Sequence, residues 1–185
     1  MSYEFCNYMV DGNNIRPREV VSIPVTLFES MLGKYFVGQT GNLQVGNGSS
    51  AWAGLVNPCD SRVDLFANVF TVSNFSEDYM TAEIWLNTNF PEKGIVSHKV
   101  SPTNTAIKPL PKNKVDILFL RSTIFTPENG VNVYKRIIPP NTTLVGEEDG
   151  KFIEAPGGSY VIFLNSSSSK PQKAIVAFGW WEKPK

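Results

Sequence analysis

The chain has 185 residues, of which 42% are hydrophobic and only 18% are charged, below the roughly 25% usual for globular domains. Its 17 basic and 17 acidic side chains give a formal net charge of zero. No basic field gathers phosphates, so nucleic acid is excluded as an expected partner. A weakly charged surface instead favours contact with other protein surfaces, including other copies of the same chain.

Residues 1–19 are predicted to form an arm that leads into one domain over residues 20–185. The arm contains a turn-forming stretch at 11–14, and Pro17 restricts its predecessor to extended conformations. It lacks the basic start and apolar core of a secretory signal, and no apolar run approaches the roughly 20 residues that span a bilayer. We therefore expect synthesis in the cytoplasm and no membrane insertion.

Strand composition begins at residue 20. Pro24 cannot donate to a central ladder, so the stretch 20–28 is expected to be an edge strand or a bulged one. A single helical turn closed by Gly33 is expected to follow. Residues 35–37 and 43–45 flank a short loop that contains two glycines, which predicts a hairpin.

The most regular pattern lies between Val63 and Asn87. Val63 to Phe70 alternate in period two, as expected of a strand with one buried face, and a second alternating stretch follows a polar turn at Ser76. We expect two long strands that pair with each other. Several of their outward residues are large and aromatic, so the second face is expected to be covered by another sheet or another copy.

Residues 88–114 are the least regular part of the chain, with four prolines and at most one short strand at 95–100. A long loop of this kind is commonly functional or mobile. Asp149-Gly150 predicts a tight turn, because such turns need positive φ. Further strands are predicted at 52–56, 115–120, 131–138, 142–145, 151–154, 159–164 and 173–181. The last strand is apolar on both faces, which is typical of a central strand or of one whose outer face is an interface.

Ten to twelve strands, turns at about every ten residues and no convincing helix predict an all-β fold. We expect a single antiparallel β-sandwich of jelly-roll type.

Some stretches resemble known families. The chain resembles an uncharacterised family of small β proteins from spore-forming Gram-positive bacteria at residues 35–39, 52–55, 69–76 and 178–182. The turn-and-strand pieces at 138–144 and 154–161 are similar to those of jelly-roll sandwiches. A looser likeness is to jelly-roll subunits of endospore appendages, in which a cysteine-bearing N-terminal arm reaches into neighbouring subunits. That likeness implies contacts between copies, although the paired-cysteine motif of such arms is absent.

Catalysis has few candidate groups. His98 is the only histidine and is expected to be a solvated surface residue, so neither a multi-histidine metal site nor another cofactor site is predicted. The acidic stretch 147–149 is expected at a hairpin tip, where charge is readily solvated. A carboxylate-pair enzyme would require two of three strand carboxylates to converge in a cleft: Asp64, Glu83 and Asp116.

The expected function is therefore structural: a non-enzymatic subunit that self-associates into a fibre, a spore-surface layer or a similar assembly. Candidate contacts between copies are Cys6 on the arm, Cys59 in the body and the pair Trp180 and Trp181. The two thiols either remain unlinked or form a crosslink between neighbours. The alternative function is a carbohydrate-binding module in which Trp52 and Trp85 stack on sugar rings.

Overall fold

The computed structural model describes residues 22–89 and 92–185. These residues form one helix, α1 (Val25–Met31), and twelve strands. In chain order the strands are β1 (Tyr35–Gln39), β2 (Leu43–Val45), β3 (Ser50–Val56), β4 (Val63–Asn74), β5 (Met80–Leu86), β6 (Ile95–Val96), β7 (Val100–Pro102), β8 (Asp116–Thr123), β9 (Val131–Ile138), β10 (Thr143–Glu154), β11 (Ser159–Asn165) and β12 (Gln172–Pro184).

The strands form two antiparallel sheets that pack face to face. Sheet I has the order β10-β4-β12-β1-β7, with β2 also paired to β12, and sheet II has the order β6-β8-β3-β11-β5-β9. The chain changes sheet at most of its connections; among the described strands, only β1–β2, β5–β6 and β8–β9 join consecutive strands of the same sheet. The predicted all-β antiparallel sandwich is confirmed.

The core lies between the sheets and is filled by the inward side chains of both. Its largest fully buried members include Trp180, Tyr160, Leu55, Leu65 and Ile162. β12 lies between β4 on one side and β1 and β2 on the other. β12 is therefore an inner strand of sheet I, which agrees with the first of the two alternatives that its apolar faces left open.

Four local predictions are wrong. Residues 25–28 of the predicted first strand belong to α1, which overlaps the predicted helical turn and ends before Gly33 at φ 70°. Residues 95–102 contain two short strands, β6 and β7, where at most one was predicted. β1 and β2 do not form a hairpin, because both pair with β12 at successive positions. β4 and β5 do not pair either, because they lie in opposite sheets. Each stretch can form its hydrogen bonds with a partner distant in sequence, and core packing selects that partner.

The alternation in β4 breaks at a bulge. Gly179 pairs with Val69 and Trp180 pairs with Ala67, which leaves Asn68 as an extra residue. Beyond the bulge the faces exchange, so Phe70 enters the core and Val69 turns outward. A bulge of this kind kinks the strand and re-aims its side chains.

Candidate self-association surface

One side of the sandwich presents two neighbouring edge strands. Within the described residues, β9 pairs only with β5 and β10 pairs only with β4, so each has one free edge. The short link between them is held by Asn74, whose Nδ2 donates to the carbonyl oxygens of Ile138 (3.4 Å) and Pro139 (3.1 Å). The two edges are therefore fixed relative to the core.

The free edges carry large apolar side chains. Val131 and Ile137 on β9 are 61% and 67% exposed, and Val145 and Ile153 on β10 are each 54% exposed. An edge strand offers unpaired backbone N–H and C=O groups, and exposed apolar side chains make it a template for pairing with another chain. We call this side of the molecule, formed by β9 and β10, the open edge.

A small polar cavity lies between the two edge strands. It is lined by Tyr134 and Arg136 from β9 and by Glu148 from β10, among others. The Arg136 guanidinium lies 4.5 Å from the centre of the Tyr134 ring. Charged groups of this kind favour hydration of the cavity and oppose its complete closure by an apolar partner.

Glu148 does not lie on a solvated hairpin tip, so that prediction is wrong. Residues 148–151 form an irregularity inside β10, whose two halves both pair with β4, and the predicted Asp149-Gly150 turn has positive φ at both residues. Glu148 is buried and accepts a hydrogen bond from the Tyr160 hydroxyl at 3.2 Å. Burial and, secondarily, this carboxylate raise the pKa of Tyr160.

The two C-terminal tryptophans are buried within the chain itself. Trp180 is 0% exposed and its Nε1 donates to Oε1 of Glu182 at 3.1 Å. Trp181 points outward from sheet I, but it stacks on Phe66 with ring centres 5.3 Å apart, and Gly150 packs against its ring. Neither side chain is exposed for contact with a neighbouring copy, because the core and the β10 irregularity cover them.

Trp52 and Trp85 lie on the outer face of sheet II. Trp52 is buried, and Gly94 packs closely against its ring. Trp85 is half-buried and donates from Nε1 to Glu83 at 3.2 Å. A sugar-stacking platform requires an exposed face of an aromatic ring, and the Trp52 side chain is buried.

Cys59 is exposed and free in the loop between β3 and β4. Cys6 lies outside the described residues, as does the whole predicted arm. His98 is exposed, as predicted, and lies beside β7 at the rim of a groove on sheet I.

The three strand carboxylates do not converge. Asp64 lies on sheet I and is 3.8 Å from the Lys185 ammonium, whereas Glu83 lies on sheet II and is 2.8 Å from that of Lys135. Asp116 is in β8, which is separated from the strand of Glu83 by β3 and β11. Within the described ranges, no group of three or more histidine, cysteine, aspartate or glutamate side chains could hold a metal ion.

Three further buried carboxylates were missed by sequence reasoning: Glu29, Glu154 and Glu182. Glu182 and Glu154 stand in strand patterns where charge is usually outward, yet both are buried. No local signal in the sequence marks them. The open edge, in contrast, has a local signal in the sequence. The charged pair Lys135-Arg136 within a largely apolar strand is typical of an edge strand.

These features define an antiparallel β-sandwich whose β9–β10 side forms the open edge. A family model described as "Family of unknown function (DUF6143)" matches residues 6–185, and the chain belongs to that family. No curated protein and no solved structure matches it. No helix among the described residues is long and apolar enough to cross a membrane.

Proposed function

We propose that the protein is a non-enzymatic structural subunit that self-associates through the open edge. The observation that carries the proposal is β9, an eight-residue edge strand with Val131 and Ile137 exposed. Pairing of β9 with β9 of a second copy, antiparallel about a two-fold axis, extends sheet II from one molecule into the next. It satisfies unpaired backbone groups and buries apolar side chains in one step.

The composition supports the same proposal. Zero formal net charge removes the repulsion that keeps copies apart. The resemblance to jelly-roll subunits of endospore appendages supports a fibre or a spore-surface layer as the kind of assembly.

The first test measures the mass of the purified protein by light scattering and its shape by negative-stain electron microscopy. We expect a mass of at least two chains, because a two-fold edge contact joins two copies. The double variant Val131→Lys/Ile137→Lys should reduce the particle mass, because two buried ammonium groups oppose edge pairing. The matched control is Ile124→Lys, which makes the same substitution at an isoleucine that is 80% exposed and lies just beyond β8. It should assemble like the wild type.

Two results contradict the proposal. A wild-type protein with the mass of one chain under all conditions shows that it does not self-associate. Particles of unchanged mass in the double variant show that another surface forms them.

The exposed thiol of Cys59 supports a crosslink to Cys6 of a neighbouring copy as part of the same proposal. Under oxidising conditions, a non-reducing gel should show covalent multimers that disappear with reductant or with Cys59→Ser. Multimers that persist in Cys59→Ser would contradict this pairing.

A further inference from the structure

The outer face of sheet I is a broad, exposed surface crossed by apolar rows. The strand registers place Glu147, Val69, Gly179, Val37 and Ser101 side by side in one row from β10 to β7. Val37 is 41% exposed at the far side of this row. The β4 bulge turns Val69 outward, so Val69 and Val37 flank Gly179 on either side.

The neighbouring row runs parallel to the first. It places Val145, Thr71, Ala177 and Gln39 side by side, and Lys99 follows, because the amide of Gln39 donates to the carbonyl oxygen of Lys99 at 3.1 Å. The small residues of the two rows both lie on the central strand β12. They form the floor of a groove of about 650 Å³ that runs along it.

The apolar walls of this groove suit a second sheet. Packed sheets lie about 10 Å apart, and Val37 and Val69, on either side of β12, are the apolar side chains that an opposing face would meet. Val37 on β1 and Val69 on β4 occupy equivalent positions on the two sides of β12, because both pair with Gly179. The face is therefore self-complementary in its apolar part, with each Val37 opposite a Val69 of the other copy.

The charges at the two sides of the face are of opposite sign. Glu147 lies at the β10 side and Lys99 at the β7 side, and both are exposed. A two-fold axis that runs parallel to β12 between two stacked faces exchanges left and right, so each lysine approaches a glutamate of the other copy. A two-fold axis perpendicular to the strands would instead place lysine beside lysine. Of these two axes, only the one parallel to β12 brings opposite charges together.

We propose that the outer face of sheet I binds a second copy of this chain about a two-fold axis parallel to β12, with Lys99 of each copy facing Glu147 of the other. This inference rests on the proposed function and adds a second contact to it. A chain with two different two-fold contacts has two different neighbours. Alternation of open-edge and face contacts then builds an open filament unless it closes into a ring or dihedral particle.

The test isolates the face contact in the Val131→Lys/Ile137→Lys background, where the open edge no longer pairs. Analytical ultracentrifugation should show a dimer. Lys99→Glu or Glu147→Lys alone should raise its dissociation constant by about tenfold or more, because two pairs per dimer change from attraction to repulsion. Lys99→Glu combined with Glu147→Lys should restore the original constant within about threefold, because the charges are exchanged.

The matched controls make the same charge changes away from the face. Lys170 and Glu77 are exposed residues of the loops at one end of the sandwich. Lys170→Glu and Glu77→Lys should leave the dimer unchanged, which separates a local pair from an effect of net charge.

Several outcomes overturn the face contact. They are a monomer in the edge-variant background, a dimer insensitive to Lys99→Glu, and a charge exchange that fails to restore association. The first of these, together with a wild-type dimer, contradicts the face contact and leaves the open-edge contact of the proposed function standing. A wild-type protein with the mass of one chain contradicts both.

Discussion

Glu182→Ala is expected to lower the free energy of unfolding by about 3–5 kcal/mol. Oε1 of Glu182 accepts hydrogen bonds from the backbone amides of Lys114 and Val115, each at 3.0 Å, and from Nε1 of Trp180 at 3.1 Å. Alanine leaves these donors without an acceptor, and Val115 and Trp180 are both fully buried. Each orphaned buried donor costs about 1–3 kcal/mol.

The measurement is the urea midpoint of unfolding, with Glu182→Gln as the matched control. Glutamine keeps one side-chain oxygen for the three donors but sets its NH₂ group against the amide of Lys114, which lies 3.0 Å from Oε2. It should therefore cost less than half as much as alanine. A loss below about 1 kcal/mol in Glu182→Ala would show that these hydrogen bonds do not anchor residues 114–115 to β12.

Stability is expected to fall as pH rises from 4.5 to 8, and Glu154 is the main cause. Burial raises the pKa of this carboxyl to about 7, although a hydrogen bond with Asn87 opposes the shift. In the unfolded chain the group titrates near 4.5. Below pH 4.5 the Glu154 carboxyl is protonated in both the folded and the unfolded state. Between pH 4.5 and about 7 only the folded state keeps the proton, so the contribution of this carboxyl to stability is lost as pH rises through about 7.

The difference between the two pKa values corresponds to about 3 kcal/mol of folding free energy between pH 4.5 and 8. Burial raises the pKa values of Asp116 and Glu182 in the same direction, so they add to the trend. The decrease in stability with rising pH is measured by comparing the urea midpoints of unfolding at pH 5 and pH 8.

Glu154→Gln is the control for this pH dependence, because its amide is neutral at every pH and still accepts from Asn87. The variant should match the wild type near pH 5, exceed it at pH 8, and show a flatter profile. Equal slopes in both proteins would contradict the assignment to Glu154.

The element types were largely predictable because strands require alternation and turns require particular residues. Val131–Ile138 was predicted at the bounds that β9 has, and the Asp149-Gly150 turn was placed by its need for positive φ. Pairing was not predictable. The polar turn after β4 reads as a hairpin loop, yet it carries the chain between sheets, because β4 pairs with β10 and β12.

The candidate surfaces depended on tertiary structure for the same reason. A one-residue bulge at Asn68 turns Val69 outward and Phe70 inward, and no period-two pattern contains it. The tryptophans show the reverse case. Strand alternation places Trp181 on the face opposite Trp180, but the β10 irregularity that covers it arrives from some thirty residues earlier in the chain.

The sequence by itself determined the all-β sandwich and a range of strand numbers that includes the observed twelve, because these follow from local periodicity and composition. The tertiary structure decided which strands pair, which edges remain free, and which carboxylates are buried. Those properties depend on long-range contacts, in which backbone groups of any strand can pair with those of any other and only the packing of the whole core selects one arrangement.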